Sequence, residues 1–290
     1  MSLSERKLDL VWHMFIDPAD GNYLAARWAY DNGLFHQFYW DAAQCVEKLL
    51  KATLLLNDCS VKDHKHHQLV ELFNAFLTID ADKIFPEIIQ MPETTGMGKD
   101  AWQGEPYSLF IEYLNRYGSA DNRYGSIGTF VNGPVIHLLD RCCHDLRTFM
   151  RHKNFFGKDL YELNNENQYE DDTVAAPQDW MISPDFLLER LYLNRYEAGQ
   201  DERLRRVFSN RNLSFFKERS ADESTFGGIH MMGSPLHNHL VRLLDQNDRV
   251  QLQLSKEQKA KNREIVLQLK EWAGRTLVLN KQLQDQLNLN

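Results

Sequence analysis

The sequence predicts an all-α protein, a helical bundle followed by a helical C-terminal extension or second domain. Three observations carry that prediction. Apolar residues recur at three- and four-residue spacings in segment after segment, helix-start signals precede several of these segments, and no stretch sustains the two-residue alternation of a half-buried strand. The 290 residues include 16 Phe, 11 Tyr and 6 Trp within a 43% hydrophobic composition, enough apolar surface for a packed core.

A short first helix spans 4–15 and is expected to end near Asp17-Pro18. The next begins around Asp20, breaks at Asn32-Gly33, and resumes from Phe35 to about Leu56. In that last stretch Gln37, Asp41, Gln44, Lys48 and Lys51 form one polar stripe, and Phe38, Ala42, Cys45, Val46, Leu49, Leu50 and Thr53 fill the remaining arc. An apolar arc that wide marks a helix packed on several sides, in the middle of a bundle. After a polar loop over 57–66, Leu69, Leu72, Phe73, Phe76 and Leu77 form one apolar face. The region 80–104 contains Pro86, Pro92 and three glycines and reads as a long connection.

A helix over about 106–117 stops at Gly118, and the glycine-rich stretch 118–133 reads as loop. Pro134 then opens a long helix with core residues Val135, Leu138, Leu139, Cys142, Leu146, Phe149 and Met150. An acidic, Asn-rich run over 163–172 places a linker at 156–180, between a bundle at 1–155 and a helical region at 181–290. Beyond it, Ser183-Pro184-Asp185 starts a helix over 184–197, and another follows at 201–209. Ser255-Lys256-Glu257-Gln258 has the capping-box form and opens the last helix. There Ile265, Leu269, Trp272, Thr276, Leu279 and Leu283 form a coiled-coil-like seam.

Composition also excludes several functions. No apolar run reaches the roughly 18 residues of a membrane span, and no signal-type segment follows the charged N-terminus, so the chain is expected in the cytoplasm. Cys45, Cys59, Cys142 and Cys143 lack metal-ligand spacing and are expected to be reduced, mostly buried thiols. The net charge of −8 argues against sequence-blind nucleic-acid binding, while leaving room for a local basic patch.

The segments Asn22-Tyr23-Leu24-Ala25-Ala26-Arg27, Asn32-Gly33-Leu34 and Phe38-Tyr39-Trp40-Asp41-Ala42-Ala43-Gln44-Cys45-Val46-Glu47-Lys48-Leu49-Leu50-Lys51-Ala52 resemble the leading helices of HEPN domains. His67-Gln68-Leu69 with Leu72 is similar to the start of that family's next helix. The resemblance is specific over about residues 20–77, extends by helix order to about 155, and does not cover 156–290. It implies a prokaryotic helical bundle, often dimeric, that engages RNA or nucleotide. Many such proteins are metal-independent ribonucleases of toxin–antitoxin or defence systems, and others are non-catalytic partners of nucleotidyltransferases. No nucleotidyltransferase signature occurs in this chain.

The family's nuclease motif, Arg followed by four to six residues and His, finds its match at Arg147 and His152. Cleavage of RNA needs a base for the 2′-hydroxyl and a cation for the phosphorane, and these are the right residue types. Five helical positions at about 100° each set the two about 140° apart, so they converge only if the helix ends before His152 or across a dimer. The same helix carries a cationic stripe of His137, Arg141, His144 and Arg151, suited to a phosphate or nucleotide, or else a polar flank packed against neighbouring acids. The glycine-rich segment 227–235 sets Gly233 and Ser234 before a helix start at Pro235, where backbone donors can hold an anion; a capped loop is the plainer alternative.

His64, His66 and His67 with Asp58 and Asp63 lack the spacing of a closed metal site and read as a solvated loop, so no metal and no cofactor are expected. Arg203, Arg205, Arg206, Arg211, Lys217 and Arg219, with Phe208, Phe215 and Phe216, form a basic–aromatic run that suits either RNA or a solvated face. Two functional readings follow. One is a HEPN-type protein engaging RNA or nucleotide, as a ribonuclease or as a binder. The other is a non-catalytic module that forms a homodimer and holds a partner protein through its C-terminal helices.

Overall fold

Residues 3–31 wind as one helical rod with a widened turn in the middle. In the computed structural model, which describes residues 3–62, 68–90, 104–122, 128–131, 135–152, 160–165, 177–195, 201–216, 230–233 and 254–276, α1 (Leu3–Val11) passes through a π-helical turn (Trp12–Ile16) into α2 (Asp17–Asp31). The break expected at Asp17-Pro18 does not occur. Pro18 sits in the first turn of α2, where its missing N–H costs least, and the wider turn before it carries the chain through. Gly33, at φ +71°, makes the sharp turn into α3 (Phe35–Leu56).

Helix α3 is the hub. It packs against α2, α4 (Leu69–Ile79), α5 (Tyr107–Tyr117) and α6 (Val135–His152), which is why apolar residues occupy most of its circumference. Phe38, Ala42, Val46 and Leu50 have no exposed surface. Pro106 caps α5, and Gly118 ends it at a place where only glycine fits: a Cβ there would lie 2.3 Å from the Tyr39 carbonyl oxygen. On α6, Val135, Leu139, Cys142, Leu146, Phe149 and Met150 are buried, as the helical spacing requires. Leu77, assigned by that spacing to the apolar face of α4, is instead 44% exposed.

Two short ribbons lie among the helices. Strand β1 (Ile88–Ile89) pairs antiparallel with β2 (Glu105–Pro106), and β3 (Gly128–Val131) pairs antiparallel with β4 (His230–Gly233). Parts of stretches read as loop thus satisfy their backbone groups on each other, with Gly128 opposite Gly233.

The C-terminal region departs most from expectation. Helix α7 (Leu160–Asn165) lies inside the expected linker, and α8 (Leu187–Tyr192) and α9 (Asp201–Ser209) follow. Trp180, Ile182, Phe186, Leu191, Phe208 and Phe215 belong to the same apolar cluster as Leu8, Phe38 and Phe149. Residues 177–195 and 201–216 therefore complete the core of the bundle rather than forming a separate unit. The final helix α10 (Lys256–Thr276) begins with the expected capping box: Gln258 N–H donates to Ser255 Oγ at 3.2 Å, and Ser255 N–H donates to Gln258 Oε1 at 2.9 Å. Within the expected seam Ile265 is exposed; the side chains of Leu269, Trp272 and Thr276, and Leu279 and Leu283 entirely, lie outside the described residues. No helix among the described residues is long and apolar enough to cross a membrane.

Candidate functional site

Helix α6 carries several charged positions into the protein, and three of them, Asp140, Arg147 and Asp145, each anchor a different neighbour. Asp140 accepts from the hydroxyl of Tyr23 at 2.7 Å and pairs with Arg27, both from α2; Arg27 also donates to the carbonyls of Val207 and Asn210. Burial raises the Asp140 carboxyl, opposed by Arg27 and the Tyr23 hydroxyl. Arg147 bridges Asp20 of α2 and Glu189 of α8, at 2.6 Å each. These two clusters have no exposed side-chain surface on their arginines and tie α2 and α6 to Glu189, Val207 and Asn210.

The third position opens toward solvent. Asp145 accepts from Tyr107 Oη at 2.6 Å, from Arg141 Nε at 2.9 Å and from His144 Nδ1 at 3.2 Å. Burial pushes Asp145 up, but the His144 hydrogen bond, the Arg141 charge and the Tyr107 hydroxyl outweigh it and hold the carboxyl below its usual range. It is therefore an acceptor only, which fixes the hydrogen on Nδ1 of His144 and turns Nε2 away from it. Tyr107, raised well above its usual value by burial and by the nearby Cys142 and Asp145, stays protonated and donates. Arg141 is 32% exposed and His144 16% exposed at their side chains. Among the described residues, Arg141 Nη1 and Nη2 and His144 Nε2 have no hydrogen-bond partner, and the two residues stand one helical turn apart. Two donors and a base, anchored on a shared carboxylate, can grip an anion and exchange a proton with it.

The residues marked by sequence are distributed unevenly. Arg147 is in the core, with its two terminal nitrogens engaged by carboxylates, and is not offered to an external phosphate. Helix α6 continues through His152, which is exposed at its end, so the bend needed to bring the two residues to one cleft is missing. Of the cationic stripe, Arg141 and His144 come together. His137 is buried, 3.9 Å from Asp140, and Arg151 donates to the carbonyl of Gln178 with its guanidinium over the Tyr161 ring. Gly233 is the last residue of β4, and Ser234 and the helix start expected at Pro235 lie outside the described residues.

His64, His66, His67 and Asp63 lie outside the described residues as well, whereas Asp58 pairs with Lys7 at 2.7 Å. No group of three or more metal-ligating side chains occurs among the described residues. Phe208 and Phe215 of the basic–aromatic run are buried core, and Arg206 pairs with Glu202 on the same helix; Lys217 and Arg219 lie outside the described residues. Cys45 and Cys143 meet in the core with sulfurs 3.5 Å apart.

Sequence reasoning missed Tyr107 and Asp145. Asp145 had a readable signal, since it follows His144 directly and sits four residues after Arg141 on one helix. Tyr107 had none, because only the packing of α5 against α3 and α4 brings it there. Comparison with family models, curated proteins and solved structures found no match, so the site stands on its own geometry.

Proposed function

We propose that the chain is a HEPN-like helical bundle that engages RNA or nucleotide phosphate through Arg141 and His144. The observation that carries this reading is the shared anchor: Asp145 holds both side chains by one nitrogen each and leaves their other nitrogens partner-free among the described residues. The sequence resemblance over about residues 20–155 supports the same class of ligand. In a ribonuclease of this design, His144 takes the 2′-hydroxyl proton on Nε2 as the 2′-oxygen bonds to phosphorus, and Asp145 steadies the imidazolium through Nδ1–H. Arg141 meets the phosphorane charge without a metal, and the imidazolium returns the proton to the 5′-oxygen as the P–O5′ bond breaks. Arg147 has no place in that reaction, being committed to Asp20 and Glu189.

Titration of a labelled single-stranded RNA and of ATP against wild type and Arg141→Ala tests the reading. Binding by wild type that falls with Arg141→Ala supports it; no binding by wild type, or equal binding by the variant, rejects it. Incubation of RNA in the presence of a chelator, with His144→Ala as control, separates a nuclease from a binder.

A second reading, a dimerising or protein-binding module, is favoured by one surface. Leu10, Met14 and Trp28 are each more than half exposed along the α1–α2 rod, and Gly21 between them has open space where a Cβ would stand. An apolar line of this kind on a helix suits a second helix from another copy. Sedimentation at micromolar concentration tests it against a 34.0 kDa monomer.

A further inference from the structure

The Arg147 cluster plays no part in the proposed binding site, yet its charges do not balance. Arg147 Nη1 donates to Asp20 and Nη2 to Glu189, and Glu189 Oε1 also accepts the backbone N–H groups of Ile182 at 2.7 Å and Ser183 at 3.4 Å. The Trp180 ring lies 5.5 Å from the guanidinium carbon and covers it. Two carboxylates thus face one guanidinium in a space sealed from solvent. One oxygen of each acid, Asp20 Oδ2 and Glu189 Oε2, has no hydrogen-bond partner among the described residues. The groups that act on Asp20 are Arg147 from α6, Glu189 and the backbone N–H of Leu188 from α8, and Asp17 on its own helix. With both acids ionised the cluster leaves one uncompensated negative charge in the core, a costly arrangement.

We infer that this cluster is an acid-tightened clasp, in which one proton on Asp20 neutralises the triad and locks residues 177–191 against α2 and α6. Burial is the largest influence on Asp20 and raises its carboxyl from 3.8 to about 7, with Glu189 and Asp17 adding to the rise and Arg147 opposing it. When the segment opens, Asp20 meets water and returns to the ordinary carboxylate range. The closed form therefore holds a proton that the open form releases between those two values. Closure is tightest at the acid end of that window, weakens as pH rises, by up to about tenfold in the opening equilibrium per pH unit, and becomes constant above about pH 7. The same segment supplies the Gln178 carbonyl to Arg151, so the clasp also sets the exposure of the far end of α6.

Hydrogen exchange on the full chain at pH 5, 6, 7 and 8, corrected for intrinsic rates, reads the opening at the amides of Ile182, Ser183 and Arg190. Their protection is expected to fall steeply from pH 5 to 7 and then level off, without a parallel fall at core amides of α3. Asp20→Asn and Glu189→Gln each remove one negative charge at nearly constant shape, and either should flatten the dependence. Where one variant does not fold, the other decides. Protection in wild type that is level from pH 5 to 7, or a slope that persists in a folded amide variant, overturns the clasp.

Discussion

The hydroxyl of Tyr107, the first residue of α5, donates to Asp145 in the middle of α6 at 2.6 Å, and through that carboxylate it steadies Arg141 and His144. The bond joins an aromatic residue whose ring belongs to the Phe73–Phe85 cluster to the polar edge of a different helix. Packing and charge are thus connected at one atom. Tyr107→Phe keeps the ring and deletes the donor. It should cost about 1–3 kcal/mol in chemical denaturation, the range for a buried acceptor that loses its partner. Ligand binding should weaken less than with Arg141→Ala.

Arg141→Ala removes a half-buried cation, one of the three side-chain partners of the Asp145 carboxylate. Binding of RNA or ATP should drop about ten- to hundredfold, corresponding to one charge-assisted hydrogen bond of about 1.5–3 kcal/mol. The melting temperature should fall by no more than with Tyr107→Phe. A binding curve that overlays the wild type would remove Arg141 from the site.

The two members of the Arg-x4-His match should behave oppositely. Arg147→Ala leaves two buried carboxylates without their cation and should destabilise by about 3–5 kcal/mol, measured by urea unfolding. His152→Ala, at an exposed helix end, should change stability by about 0.5 kcal/mol or less. Equal and small effects from both would contradict the burial of Arg147.

For the α1–α2 surface, Trp28→Glu places a charge on the exposed apolar line. If this line is a dimer interface, sedimentation should show the wild type as a dimer and the variant as a 34.0 kDa monomer with unchanged helicity. A wild-type monomer at micromolar concentration would end that reading.

The sequence by itself determined the helices of the bundle and some of their ends, although the helix expected over 184–197 is only Leu187–Tyr192. The 22 residues of α3 start and stop where the periodicity and the Asn32-Gly33 break said, and the Ser255–Gln258 box forms as written. These features depend on neighbours within a turn or two, so local spacing encodes them. The departures are also instructive: the π-helical turn at Trp12–Ile16 carries the rod past Asp17-Pro18, and short ribbons appear where glycines suggested plain loop.

Only the tertiary structure decided what the charged residues do. On α6 the sequence shows Asp140, Arg141, His144, Asp145 and Arg147 as a mixed polar face, and nothing in their spacing separates a core ion pair from a site. The sorting is done by partners distant in the chain: Arg27 comes to Asp140, Asp20 and Glu189 come to Arg147, and Tyr107 comes to Asp145. The linker boundary is crossed for the same reason, because Phe208 and Phe215 pack on Tyr23 far earlier in the chain, and Trp180 packs on Phe208 and Phe215. A helix is specified by contacts one turn apart, whereas the fate of a charge depends on which distant surface excludes water from it.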